Sequence, residues 1–119
     1  MRSELNFPQL TVVRSEQDGM QVVALSGELD LRAVGELEAA FATAGVKARV
    51  CLDLTALEFI DSTGLATVIR GHQALTEGGG AFAVVCKDAG PVRRTFETTG
   101  LMTLLTVVSD RSAALQALG

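Results

Sequence analysis

The sequence predicts an α/β domain built on a mostly parallel sheet, and three observations carry that prediction. Short runs of Val, Leu and Ile alternate with segments whose apolar residues recur at helical spacing, the pattern of strands joined by helical crossovers. Near the start, Asp18-Gly19 joins two apolar runs directly, as a hairpin turn does, so one antiparallel pair belongs at a sheet edge. The chain has 119 residues, 48% of them apolar and 20% charged, which suits one domain around one core. With five Phe and no Trp or Tyr, that core must be aliphatic.

Taken in order, residues 1–8 read as a loosely held arm. The first strand covers residues 10–15 and the second residues 20–26, where the continuous run Val22-Val23-Ala24-Leu25 suits a strand covered on both faces. Gly27-Glu28-Leu29-Asp30 closes that strand as a turn, and Asp30 is placed to cap a helix. Leu31, Val34, Leu37 and Phe41 come next at helical spacing and Gly45 ends the segment. The third strand covers residues 49–54, and a connection over residues 55–60 leads to Asp61-Ser62. A second helix then carries Leu65, Val68, Ile69, His72 and Leu75 along one stripe, until Gly78-Gly79-Gly80 stops it. The fourth strand covers residues 81–86. Pro91 suits the first turn of a third helix, with Val92 and Phe96 one turn apart and Thr99-Gly100-Leu101 as its C-cap. A short strand over residues 105–108 and a helix over residues 110–118 end the chain, giving about four helices in all. No internal repeat or linker interrupts the pattern, so the expectation is one domain over residues 1–119.

Composition removes several functions. The formal net charge is −4 and the ten basic residues are scattered, Arg93-Arg94 being the only adjacent pair, which argues against nucleic acid. No apolar stretch approaches the roughly 18 residues of a membrane span, and residues 1–10 do not read as a signal peptide, so the expectation is a soluble cytoplasmic protein. Cys51 and Cys86 lie in apolar runs without a C-x-x-C pattern and read as buried free thiols of a reducing compartment. One His and two Cys in separate strands offer no metal-ligand spacing, and Gly78-Gly79-Gly80 lacks the ending of a phosphate-binding loop. A serine hydrolase is also disfavoured: Ile60 stands where a nucleophile elbow needs glycine. The lone His72 lies ten residues beyond Ser62 on the same helix, about 15 Å away at 1.5 Å rise per residue. No catalysis and no cofactor are expected.

The informative segments are two acidic, glycine-containing turns. The second and third strands are joined by a helical crossover and should run parallel, so their carboxyl ends share one edge. Gly27-Glu28-Leu29-Asp30 leaves one of those ends and Asp61-Ser62-Thr63-Gly64-Leu65 leaves the other. In open α/β sheets this is the edge that engages ligands and partners. Asp61 or Ser62 could simply cap the helix. Alternatively, a hydroxyl in the first helical turn is open to a kinase, and the helix N-terminus tolerates the phosphate. The residues themselves leave Ser62 and Thr63 equally eligible.

The stretch Phe59-Ile60-Asp61-Ser62-Thr63-Gly64-Leu65 resembles the D-S-[ST]-G-L phosphorylation loop of the STAS-domain anti-sigma-factor antagonists of bacteria. Gly27-Glu28-Leu29-Asp30 is similar to that family's upstream G-x-x-D turn, and Thr99-Gly100-Leu101 to its late G-L turn. The motifs occur in the family's order and the resemblance spans nearly the whole chain. It implies a STAS-like fold and a partner-switching role. The unphosphorylated protein binds an anti-sigma factor that is also a GHKL-type serine kinase, and so frees a sigma factor. The kinase phosphorylates Ser62 and a serine phosphatase restores it. Asp30, Asp61, Thr63, Gly64, Leu65 and Glu28 are the implied partner-binding residues. STAS domains also serve in stressosomes and in lipid transport complexes, and those remain the alternative.

Overall fold

The computed structural model describes residues 10–119, and the expected arm over residues 1–8 lies outside the described residues. The elements run β1 (Leu10–Gln17), β2 (Met20–Leu29), a 3-10 turn (Leu31–Ala33), α1 (Val34–Ala42), β3 (Arg49–Ile60), α2 (Ser62–Glu77), β4 (Ala81–Val85), α3 (Pro91–Thr98), α4 (Leu101–Leu104), β5 (Val107–Val108) and α5 (Arg111–Leu118). The sheet order is β1-β2-β3-β4-β5, with β1 antiparallel to β2 and every other pair parallel. The hairpin at Asp18-Gly19 therefore places β1 at the edge, as the turn signal requires.

The sheet is covered on both faces because its strands alternate two sets of apolar side chains. Val23, Leu25, Val50, Leu52, Leu54, Phe82 and Val84 pack with Leu37, Val68, Val92 and Phe96 from the helices in the larger core. Met20, Val22, Cys51, Ala83 and Val85 face the opposite way and pack with Ala114, Leu115 and Leu118 of α5. Cys51 and Cys86 are buried free thiols, and burial pushes the Cys51 thiol up to about 11. Such thiols stay protonated and inert near neutral pH.

Three expected boundaries need correction. Residues 27–29 and 55–60, read as a turn and a connection, continue β2 and β3: Ser26 pairs with Ala56, Gly27 with Leu57, Glu28 with Phe59 and Leu29 with Ile60. The register shifts twice along this stretch, between Ala24 and Ser26 and between Gly27 and Glu28. Each shift breaks the two-residue alternation by which a strand is recognised, so the buried Leu54, Leu57 and Ile60 fall at an interval of three. Gly27 lies within the second shift at φ +94°, a conformation that side chains resist. The last strand is shorter than expected, because Leu105 is buried at the end of α4 rather than paired in the sheet. The extra helix beyond the expected four is that single turn, α4.

Candidate functional site: the phosphoacceptor edge

Because Leu29 pairs with Ile60, the next residues along each chain, Asp30 and Asp61, leave the sheet side by side. A backbone bond from Asp61 N–H to the Leu29 carbonyl, 3.2 Å long, ties the two chain exits together. The two acidic turns read from sequence thus meet at one edge, where Asp30 opposes the ionisation of Asp61.

Each aspartate also caps the helical turn that it precedes. Asp61 is extended, and its Oδ1 accepts from Gly64 N–H at 2.9 Å and from the Thr63 hydroxyl at 2.6 Å. The Thr63 bond, with the Gly64 N–H next, holds the Asp61 carboxyl below the usual carboxylate range. Asp30 caps the 3-10 turn through Arg32 N–H at 3.0 Å, and its second oxygen takes the Arg32 guanidinium at 2.7 Å. That guanidinium bond is the main cause of a lowered Asp30 carboxyl. Arg32 also lies 3.9 Å from Glu28, so one cation bridges both acids of the Gly27–Asp30 segment. Sequence reading passed over Arg32; its position two residues after a capping aspartate was the available signal.

The two candidate hydroxyls differ in their surroundings. Ser62 is exposed at the first position of α2, whereas Thr63 is half-buried and its hydroxyl is engaged by Asp61. Gly64 and Leu65 are buried, Leu65 being 8% exposed. Gly64 sits where α2 presses on the end of β2: a Cβ there would lie 2.7 Å from the Leu29 carbonyl oxygen. These two residues position the loop rather than face outward. Glu28 is exposed, and Asp30 half-buried. The Thr99-Gly100-Leu101 turn closes α3, with Leu101 buried.

Two further groups bear on what the site can do. His72 packs against Phe82, ring centroids 5.9 Å apart, on the inner side of α2. Asp53, which sequence reading also passed over, is a buried carboxylate on the α5 face. It accepts from Thr55 N–H at 2.9 Å, from the Thr55 hydroxyl at 2.8 Å and from Arg111 Nε at 2.7 Å. Burial raises its pKa, but the Thr55 and Arg111 bonds outweigh burial and leave it lowered. This ion pair fastens α5 to the sheet and stands apart from the Ser62 edge.

The chain matches the family model described as "Mlab, STAS domain" over residues 12–107. It is 34% identical to a putative anti-sigma factor antagonist, BtrV, of Bordetella bronchiseptica, over 84% of this chain and 87% of that protein. The crystal structure of an anti-sigma factor antagonist from Mycobacterium paratuberculosis superposes with a TM-score of 0.81 at 31% identity, covering 92% of this chain and 93% of that one. The fold is also that of the Bacillus cell fate determinant SpoIIAA in its phosphorylated form, with a TM-score of 0.63 at 23% identity, covering 90% of this chain and 99% of that one.

Proposed function

The chain belongs to the STAS domain family, and we propose that it is an anti-sigma factor antagonist switched by phosphorylation of Ser62. Unphosphorylated, it binds an anti-sigma factor that is also a serine kinase, and so releases a sigma factor. Phosphorylation ends the binding and a serine phosphatase reverses it. The setting is the bacterial cytoplasm, and the protein is a binding module rather than an enzyme.

One observation carries this reading: the exposed Ser62 opens a 16-residue helix next to two converging carboxylates, while its neighbour Thr63 has its hydroxyl occupied. A kinase needs an accessible hydroxyl, and the first turn of a helix supplies backbone N–H groups and a dipole that tolerate the product. Thr63 would have to give up its bond to Asp61 first. The relatives support the class of partner, since BtrV and the mycobacterial protein are named anti-sigma factor antagonists. SpoIIAA, which shares the fold, has been solved phosphorylated.

The test is phosphosite mapping after incubation with ATP and a purified GHKL-type anti-sigma factor kinase from the same genome. Phosphate should appear on Ser62, and Ser62→Ala should take up none while still binding the kinase. Label confined to Thr63 would overturn the assignment. A stressosome or lipid transport subunit predicts instead that no such kinase binds the protein in a phosphorylation-dependent way.

A further inference from the structure

Among the described residues five large apolar side chains are well exposed: Val13, Leu31, Val46, Phe59 and Leu104. Leu31, 72% exposed, and Phe59, 47% exposed, both lie on the stretch of chain that carries Asp30 and Asp61. Their exposure is not a shortage of core. The adjacent Leu29 and Ile60 point inward and are 0% and 5% exposed, so the pleat turns Phe59 and its register partner Glu28 outward. Leu31 opens the 3-10 turn directly after Asp30. Three acids stand on the same two chain exits, Glu28, Asp30 and Asp61, with Arg32 paired to Glu28 and Asp30, whereas Glu58 lines a separate recess with Lys87 and Arg93. The edge therefore offers two apolar side chains around a net-negative centre.

We propose that Leu31 and Phe59 are the apolar anchors on which the serine-kinase anti-sigma factor docks, its matching surface being basic side chains framing apolar recesses. This rests on the proposed function above. A kinase that phosphorylates Ser62 must place its active site at the Ser62 oxygen. An interface of ordinary size covers about 800 Å² on each partner, a disc of roughly 16 Å radius. Phe59 precedes Ser62 by three residues of largely extended chain, about 10 Å at 3.3 Å per residue. Leu31 comes directly after Asp30, whose own exit is tied to that of Asp61. Both positions therefore lie within one interface radius of Ser62, in reach of a partner seated there. Apolar side chains taken out of water supply binding energy that exposed charge pairs around them do not. The acids select a basic partner, and a phosphate on Ser62 would act through its bulk and the cost of stripping its water at the centre of the contact, without touching the anchors.

Leu31→Ser, Phe59→Ser and the double variant test the proposal, with Val13→Ser and Leu104→Ser as controls carrying the same change elsewhere. Because all four positions are exposed, melting temperatures should stay within a few degrees of wild type, and this is measured first. Affinity of the unphosphorylated proteins for the purified kinase is then read by titration calorimetry with ADP present. Each single change at the edge should weaken binding about tenfold, and the double change about 100-fold, as expected for interface anchors. The controls should stay within about twofold of wild type, the scale of a neutral surface change. Phe59→Leu should recover most of the affinity. If the double variant binds as the controls do while wild type binds tightly, the anchors are overturned and the proposed function survives. If wild type binds no kinase of this class, both fall together.

Discussion

Gly64→Ala separates two opposing effects whose signs differ. By helix propensity alone, alanine in place of glycine stabilises a helix by up to about 1 kcal/mol. The packing says otherwise. A Cβ at position 64 would lie 2.7 Å from the Leu29 carbonyl oxygen, 2.9 Å from Leu29 Cγ and 3.0 Å from Ile60 Cγ1. The nearest of these is backbone that also accepts the Asp61 N–H, so it cannot yield without loosening the joint between the two chain exits. Forcing a methyl into a filled site costs about 1–3 kcal/mol. The balance is a net loss of about 1–2 kcal/mol. At this chain length that corresponds to a melting temperature lower by about 4–8 °C, taking about 4 °C per kcal/mol. The relief has one direction, since the first turn of α2 must lift away from β2 and carry Ser62 away from Asp30. Phosphorylation of Ser62 should therefore slow as well. Differential scanning calorimetry checks the first expectation and single-turnover phosphotransfer the second. A melting temperature equal to or above wild type would mean that the Leu29 contact yields freely, and the account of how α2 is seated would be wrong.

Three other perturbations probe the same edge and the α5 anchor. Asp61→Ala should cost about 1 kcal/mol through the lost cap. Because the Asp61 carboxyl lies below the ordinary range, its contribution is complete above that range and fades as pH falls through its own lower value. The variant's stability deficit should accordingly be present at neutral pH and shrink in strong acid, as measured by denaturant midpoints across that span. Asp30→Asn can keep the cap while removing the charge, so melting should stay near wild type while kinase affinity falls; unchanged affinity would break the shared-edge reading. Arg111→Ala strips the cation from a buried carboxylate whose remaining bonds, among the described residues, come from Thr55. It should cost about 2–3 kcal/mol, below the cost of breaking a fully buried pair because Arg111 is itself partly in water. The double variant Asp53→Ala with Arg111→Ala should lose less than the sum of the single losses.

How much of this was legible in sequence depended on whether a local rule or a tertiary one decided each element. Asp18-Gly19, the Gly78-Gly79-Gly80 stop and Pro91 are local chemistry, and each stands where the turn or helix rules put it. The convergence of Asp30 and Asp61 was legible too, because parallel strands alone require it. The ends of β2 and β3 were not, since two register shifts erased the alternation that identifies a strand. Asp53 within the run Val50-Cys51-Leu52-Asp53-Leu54 could have been flagged, as a carboxylate in a buried strand requires a partner. Which partner could not be read, because Arg111 lies 58 residues away. The unequal standing of Ser62 and Thr63 came from one side-chain bond, which two adjacent hydroxyls in a sequence cannot reveal.

The same bond bears on how a phosphate at Ser62 would act. Phosphorylation adds about −1.5 to −2 charges at pH 7. A free helix N-terminus would offset this by about 0.3–1 kcal/mol. Here the Gly64 N–H is already given to the Asp61 side chain and the Leu65 N–H to the Asp61 carbonyl. What remains at the helix start is opposed by Asp61 itself and by Asp30 alongside it. The folded domain therefore neither gains nor loses much, and its melting temperature should move by no more than a few degrees. A partner surface changes the balance: its basic side chains match the unphosphorylated edge, and contact strips water from a phosphate crowded against Asp61 and Asp30, where like charges cost several kcal/mol. At 1.4 kcal/mol per tenfold, affinity for the kinase should fall about 100-fold or more. The measurement is a matched pair, melting temperature and kinase affinity for both phospho-states of one preparation. A large drop in melting temperature with unchanged affinity would place the switch in folding, and the electrostatic mechanism would have to be abandoned.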